Sequence, residues 1–343
     1  MSTSNYHEAG VNRSSAARAK ERIFDLARGT FTPGTIGDIG FFGSAFQVQG
    51  YDDPILISHT DGVGTKTRVA GLMGSFDSIG VDIVHHCVND ILTCRARPLF
   101  FLDYIGLGSM IPTTVEAIVE GITRACKDVG CALIGGETAE LSDIYHSGDL
   151  DLVGFIVGAV EKRDLPQLGS VSAGDVLLGL PSSGLHTNGF TLVRKVFGVD
   201  QNPSVLQTYF PELNRTLGES LLVPHRCYYN DLSPVLRDIK AMAHITGGGF
   251  FENIARCLPS ALSASINGSS WEPPPLFRII QERGQVTTEE MFRVFNMGVG
   301  MVLIASPEDV VTIQRSVAEA WVIGEVVDRD HGDAVLIKKV SGL

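Results

Sequence analysis

Short apolar runs rich in β-branched residues alternate along this chain with stretches of helical periodicity. Pro54–Ser58, Cys131–Ile134, Leu152–Val160, Asp175–Leu180 and Met301–Ala305 read as strands. Between the second and the first of these, Thr113–Val129 reads as a helix: Val115, Ile118, Val119, Ile122, Cys126 and Val129 form one stripe, Thr113 and Glu116 spell a capping box, and Gly130 can end it. Such alternation restricts the fold to mixed α and β layers. At 343 residues the chain exceeds the size at which one core usually stops growing, roughly 250–300. Two domains are expected, and the polar stretch Glu161–Gly169 (EKRDLPQLG) is the natural joint, giving segments 1–165 and 166–343.

Composition narrows function by exclusion. Apolar residues make up 44% and charged residues 19%, enough for sizeable cores. The formal net charge of −12 argues against a nucleic-acid binder, which presents a dominant basic surface. A small anionic ligand would need local cations, helix N-termini or metal ions. The six cysteines contain no C-x-x-C pair and sit mostly in apolar stretches, so they read as reduced, buried thiols. The chain start has no apolar signal-like region and no run approaches the roughly 18 apolar residues of a membrane span. A soluble cytoplasmic protein is expected.

Five segments carry groups suited to chemistry. In Ile55–Lys66 (ILISHTDGVGTK) a buried strand is expected to run straight into a loop holding Asp61, Gly62, Gly64, Thr65 and Lys66. Backbone N–H groups, a carboxylate and an ammonium there suit a metal-bound phosphate, while the same residues also suit a tight turn with a solvated Asp and Lys. It is not a P-loop, and no G-x-G-x-x-G opens a helix. In the helical pattern Ile79–Leu92, Asp82, His86, Asn89 and Asp90 share the side opposite the apolar stripe. That side reads either as water-facing or as Asp90 meeting Asp61 around Mg²⁺. Ile134–Glu140 (IGGETAE) is expected to end a buried strand with Gly135 and Gly136 and to deliver Glu137 as a third ligand, with Glu140 a surface charge. Leu180–Phe190 (LPSSGLHTNGF) groups Ser182, Ser183, His186, Thr187 and Asn188 around Gly184, as ordinary turn polarity or as an anchor and proton shuttle. In HITGGGFF, Thr246, Gly247, Gly248 and Gly249 precede a helix and read as an anion cradle or a plain connection.

Taken in order, SHTDGVGTK, IGVDIVHHCVNDIL, PLFFLDY, ALIGGETAE, GLPSSGLHTNGF, AHITGGGFFENI and FRVFNMGVGMVLI resemble the phosphoribosylformylglycinamidine cyclo-ligase family along nearly the whole chain. The resemblance implies an α+β subunit of two domains: a strand-rich N-terminal domain that forms a barrel with its counterpart in a homodimer, and a C-terminal domain of α/β sandwich character. It implies an enzyme that joins formylglycinamidine ribonucleotide and ATP to give aminoimidazole ribonucleotide, ADP and phosphate. The formyl oxygen is first phosphorylated, and the amidine nitrogen then attacks the activated carbon. Such chemistry is positioning and charge neutralisation. On that basis Asp61, Asp90 and Glu137 are assigned to Mg²⁺, Lys66 to the triphosphate, and Asn89 to the metal shell. Nucleotide contacts are expected from Gly62, Gly64, Thr65, Gly135 and Gly136. Ser182, Ser183, His186 and Asn188 are placed near the reacting amide, and Thr246–Gly249 at the substrate phosphate. Catalysis would rest on His186, Lys66 and Asp90.

The chain departs from the family at its start. Gly10–Ala16 reads GVNRSSA, and Phe24 stands where a lysine usually falls, which puts details of ATP contact in question. Gly37–Gly43 (GDIGFFG) keeps the glycine-rich character of the lid. Two rivals remain: a sister ATP-dependent enzyme (selenophosphate synthetase, thiamine-monophosphate kinase or a hydrogenase maturation factor), or a non-catalytic nucleotide-binding subunit.

Overall fold

The computed structural model describes residues 13–40, 42–330 and 332–338, with backbone alone for 13–20. Of the divergent start, residues 10–12 therefore lie outside the described residues, as does Phe41 of the glycine-rich stretch. The first domain is a four-stranded sheet of β1 (Pro54–Gly62), β2 (Arg97–Leu107), β3 (Ala132–Glu140) and β4 (Leu150–Glu161), in the order β1-β4-β2-β3. Only β2 and β3 run parallel.

Helices α1 (Arg13–Arg28), α2 (Lys66–Met73), α3 (Asp77–Leu92) and α4 (Pro112–Asp128) belong to this domain. Helix α4 buries the expected stripe from Val115 to Cys126. Its N-terminus differs from expectation, because Ile111 is the cap and no side chain caps it. Proline in the first turn, pre-set for helical φ, makes the Thr113 box unnecessary. Helices α3 and α4 meet backbone to backbone: a Cβ on Gly80 would strike the Ile118 carbonyl, and one on Gly121 the Asp77 carbonyl. That closeness lets α3 press onto the sheet, where Gly154 leaves room for Ile83 and Gly158 for Ile91. The far face of the sheet stays open, with Leu56 57% and Phe155 39% exposed.

The joint residues form two short 3₁₀ turns, Lys162–Asp164 and Leu168–Ser170. Beyond them, β5 (Val176–Pro181), α5 (Phe190–Phe197), β6 (Ala241–His244), α6 (Gly249–Ala255), β7 (Leu262–Asn267), β8 (Val299–Ala305), β9 (Trp321–Asp328) and β10 (Val335–Lys338) build the second domain. Its sheet, ordered β6-β8-β5-β9-β7-β10, is antiparallel except between β7 and β10. The α/β sandwich expectation is thus corrected to α+β for this domain. The unbroken apolar runs of its central strands follow from burial on both faces: along β8, Val302 and Ile304 enter one core while Met301, Leu303 and Ala305 enter the other. Leu92, the last residue of α3, joins that second core and ties the domains together. Among the described residues no helix is long and apolar enough to cross a membrane. All six cysteines are unpaired, with Cys94 and Cys227 half-buried and the others buried.

Candidate active site at the domain seam

Strand β1 does not stop before Asp61. Pairing with β4 continues through Asp61↔Gly154 and Gly62↔Val153, so Asp61 is a strand residue and the loop is only Val63–Thr65. Period-2 alternation puts His59 and Asp61 on the face covered by α3. The polar side of α3 arrives there too. Asp82, His86 and Asn89 are buried and Asp90 half-buried, which overturns the water-facing reading of that stripe. It is the seam against the second domain.

The stripe is held at four levels. Asp82 accepts from the His225 backbone N–H at 2.7 Å and lies 2.7 Å from Lys66 Nζ, which also donates to the Val223 carbonyl at 2.9 Å. Burial lowers the Lys66 ammonium and raises the Asp82 carboxyl, each opposed by the other's charge. Asn89 is engaged at both ends, donating to the Arg226 carbonyl at 2.7 Å and accepting from the Tyr228 N–H at 2.9 Å. His86 Nδ1 meets the Thr187 hydroxyl at 2.9 Å, and Asp90 Oδ1 lies 2.8 Å from His244 Nδ1. These contacts correct two expectations. Lys66 is wholly buried with its ammonium committed to Asp82 and Val223, and Asn89 clamps the second domain's backbone instead of facing a metal shell.

Asp61 and Asp90 do come together, with His59 between them. His86 Nε2 lies 3.2 Å from a carboxylate oxygen of each. Burial raises the Asp90 carboxyl, but His244, His59 and His86 outweigh it and hold Asp90 well below the usual range; His59, His86 and the Gly62 N–H do the same for Asp61. In return, hydrogen bonding to Asp61 and Asp90 lifts His59 to about 9, and the same carboxylates overcome burial to lift His86 to about 10.

Glu137 does not join them. The register Asp61–Gly154–Asp103–Gly136 crosses the whole sheet, so Glu137 stands three strand spacings away, roughly 14 Å. Being one residue beyond Gly136, it also points to the opposite face. The two glycines before it are strand residues too, since β3 continues through Glu140. Gly135, Gly136 and Glu137 instead line a cavity of about 630 Å³ at the β3 edge, shared with Phe24, Gly43 and Ser44. The Ser44 hydroxyl donates to the Ile134 carbonyl there.

On the other side of the seam His186 is buried, in a left-handed conformation with φ of 60°. It stacks on His225 with ring centroids 3.8 Å apart, and Gly300 makes the nest, since a Cβ there would strike His186 and Tyr228. The Ser183 N–H reaches His186 Nε2 at 3.2 Å, which assigns its proton to Nδ1, a buried atom without a hydrogen-bond partner. Burial, with nearby positive charges adding to it, keeps His186 well below its ordinary value and therefore neutral at pH 7. Ser182 bonds the Gly184 carbonyl and Asn296, Ser183 donates to the Pro224 carbonyl, and Asn188 reaches Thr187 only at 3.5 Å. In Thr246–Gly249 the Asn253 amide binds the carbonyls of Thr246, Gly247 and Gly249, turning the segment back on itself. Sequence reading missed His59, His225 and His244. None stands out by spacing, and only their arrival from three separate segments makes them a group.

Comparison with known proteins places this geometry. The N-terminal domain of AIR synthase related proteins matches residues 46–160, and the C-terminal domain of the same family matches 172–337. The phosphoribosylformylglycinamidine cyclo-ligase of Caldicellulosiruptor bescii is 49% identical over 334 residues, covering 95% of this chain and 98% of that one. That of Thermoanaerobacter sp. is 45% identical, covering 96% and 99%. Among solved structures, the thiamine-monophosphate kinase of Stenotrophomonas maltophilia superposes with a TM-score of 0.64 at 16% identity, covering 93% of this chain and 97% of the kinase. Hydrogenase maturation protein HypE in complex with ATP gives 0.64 at 16%, covering 95% and 92%. At these identities the two structures share the fold alone.

Proposed function

The chain belongs to the phosphoribosylformylglycinamidine cyclo-ligase family, and from that premise we propose how its own residues serve the reaction. It is an ATP-dependent ligase of purine biosynthesis that closes formylglycinamidine ribonucleotide to aminoimidazole ribonucleotide, releasing ADP and phosphate. The observation that carries the site assignment is the meeting of Asp61 and Asp90 at the seam, where one domain supplies carboxylates and the other supplies His186 and the glycine-rich turns.

A carboxylate pair of this kind fits Mg²⁺ carried on nucleotide phosphates, and Mg²⁺ there would neutralise charge on the phosphoryl group in transfer. Asp61 and Asp90 hold that position, with Gly62, Gly64 and Thr65 beside it as the phosphate-side backbone. Gly135, Gly136 and Glu137 act from the separate cavity at the β3 edge, where Phe24 stands in place of the family's lysine. Lys66 and Asn89 are positioning residues: they fix α3 against the second domain, so that Asp90 and His86 stay in register. His186 serves the reacting amide. Its neutral imidazole offers an unpartnered Nδ1–H as a hydrogen-bond donor, and its stacked, left-handed seat fixes its direction. Ser182, Ser183, Asn188 and Thr246–Gly249 form the substrate side. The domain boundary falls at residues 165–166. The chain acts as a homodimer in the cytoplasm; the open, partly apolar face of the first sheet, with Leu56 and Phe155, supports the pairing, and six unpaired thiols suit a reducing compartment.

Pure protein given ATP, Mg²⁺ and formylglycinamidine ribonucleotide forms ADP and aminoimidazole ribonucleotide in equal amounts. Asp61→Asn lowers kcat/KM by about 10²-fold or more without unfolding the protein. Unchanged kcat/KM in that variant removes Asp61 from the site.

A further inference from the structure

Val223–Tyr228, at the seam, forms neither helix nor strand, so its backbone groups need partners from elsewhere. Side chains supply them. Lys66 donates to the Val223 carbonyl at 2.9 Å, and the Ser183 hydroxyl to that of Pro224 at 2.5 Å. At His225 both backbone groups are taken: its N–H donates to Asp82 at 2.7 Å, and His85 Nδ1 donates to its carbonyl at 2.6 Å. Asn89 then holds the Arg226 carbonyl and the Tyr228 N–H. The grip centres on His225, whose ring is thereby delivered to one place.

That ring is held on two further sides. Its Nε2 lies 2.9 Å from His244 Nε2, and its face stacks on His186 with centroids 3.8 Å apart and planes 20° from parallel. Burial holds the His225 and His244 imidazoles below their ordinary values, and so neutral at pH 7. Ionised Asp90 can only accept, which puts the His244 proton on Nδ1; His244 Nε2 must then accept in turn, and the His225 proton sits on Nε2. Asp90, His244 and His225 form one directed chain that ends against the face of His186.

His186 requires such support. Its left-handed backbone, at φ of 60°, is strained for a residue with a side chain and persists only where the surroundings over-determine it. Gly300 opens the nest and the Ser183 N–H fixes Nε2, while the tilt of the ring plane is set by the face of His225.

We propose that His225 is a positioning residue for ring closure: through its stacked face it aims the Nδ1–H of His186 at the reacting amide. This role rests on the reading above that His186 serves that amide, and adds what holds it in line.

The test is a double-mutant cycle in steady-state kinetics on full-length protein with ATP, Mg²⁺ and formylglycinamidine ribonucleotide. His225→Ala is expected to lower kcat by about 10–10²-fold, the cost of a misaligned group, with the KM for ATP unchanged. In a His186→Ala background the same substitution should lower kcat no further, because His225 acts through His186. His225→Phe restores a flat face but cannot bond to His244, and should recover most of the kcat lost in His225→Ala. Full kcat in His225→Ala overturns the proposal; so does a loss that multiplies with that of His186→Ala, or a His225→Phe variant as slow as His225→Ala. If His186→Ala is too slow to measure, the comparison of Phe with Ala at position 225 decides. Should His225→Ala fail to fold, His225→Gln, which can still donate to His244 but offers no aromatic face, takes its place. Failure of the underlying reading has a different signature: His186→Ala alone would keep full kcat.

Discussion

Lys66 shows how a motif residue can change meaning on folding. A lysine after D-G-V-G-T has the composition of a phosphate contact, yet its ammonium is wholly enclosed and lies 2.7 Å from Asp82. A buried pair is costly to break because removing one member strands the other's charge. Lys66→Ala is expected to destabilise the protein by about 3–5 kcal/mol in urea unfolding, whereas Lys66→Met with Asp82→Leu should recover most of that loss. Equal loss in the single and double variants would show that Lys66 acts elsewhere. Asp103 supplies a second residue-scale test. Burial raises its carboxyl to about 7, from an ordinary 3.8. The folded state therefore holds a proton that the unfolded chain has released. The resulting stabilisation is complete below about pH 4 and is lost as pH rises through 7, at up to about 1.4 kcal/mol per unit. Asp103→Asn should flatten this decline between pH 4 and 7 in a series of urea titrations.

At the scale of elements, helix α3 positions most of the site. Its apolar side packs on the sheet and α4, while its polar side delivers His86 and Asp90 to Asp61 and locks Asp82 and Asn89 into the second domain. The depth of its seat is set by Gly80 against α4, where any side chain meets backbone. Gly80→Ala must therefore push the helices apart, although alanine favours a helix by about 1 kcal/mol over glycine. Net destabilisation of about 1–3 kcal/mol is expected, with kcat/KM falling as Asp90 shifts. A more stable, fully active variant would show that the crossing tolerates the methyl. The periodicity of α3 was legible in the sequence. What its polar side faced was not, because a water-facing stripe and a stripe buried against another domain have the same spacing.

The whole molecule leaves one face of the first sheet uncovered. Leu56 lies there on β1, at the sheet's edge, and the outward Phe155 of β4 lies on the same face, opposite Thr60. A second copy covering this face would bury both. Leu56→Asp is expected to shift sedimentation of the proposed dimer toward the monomer and to lower activity with it. A dimer that persists unchanged would place the interface elsewhere. Across the chain, the five strand runs from Pro54–Ser58 to Met301–Ala305 and the helix expected at Thr113–Val129, found at Pro112–Asp128, could be read from apolar periodicity, which is a local property of the chain. Seven motifs in order sufficed to mark the family. Convergence was beyond such reading: Asp61 and Asp90 meet, while Glu137, from an equally suggestive glycine-rich strand, ends across the sheet on its other face. Strand order and register decide that, and they depend on pairings between residues nearly a hundred positions apart. The same holds for His86, His225 and His244, ordinary residues in sequence that become one buried cluster because α3 and the second domain close over β1, with half-buried His59 joined to it through Asp90. Local order is fixed by near neighbours along the chain; the chemistry of the site is fixed by which distant surfaces the folded backbone brings into contact.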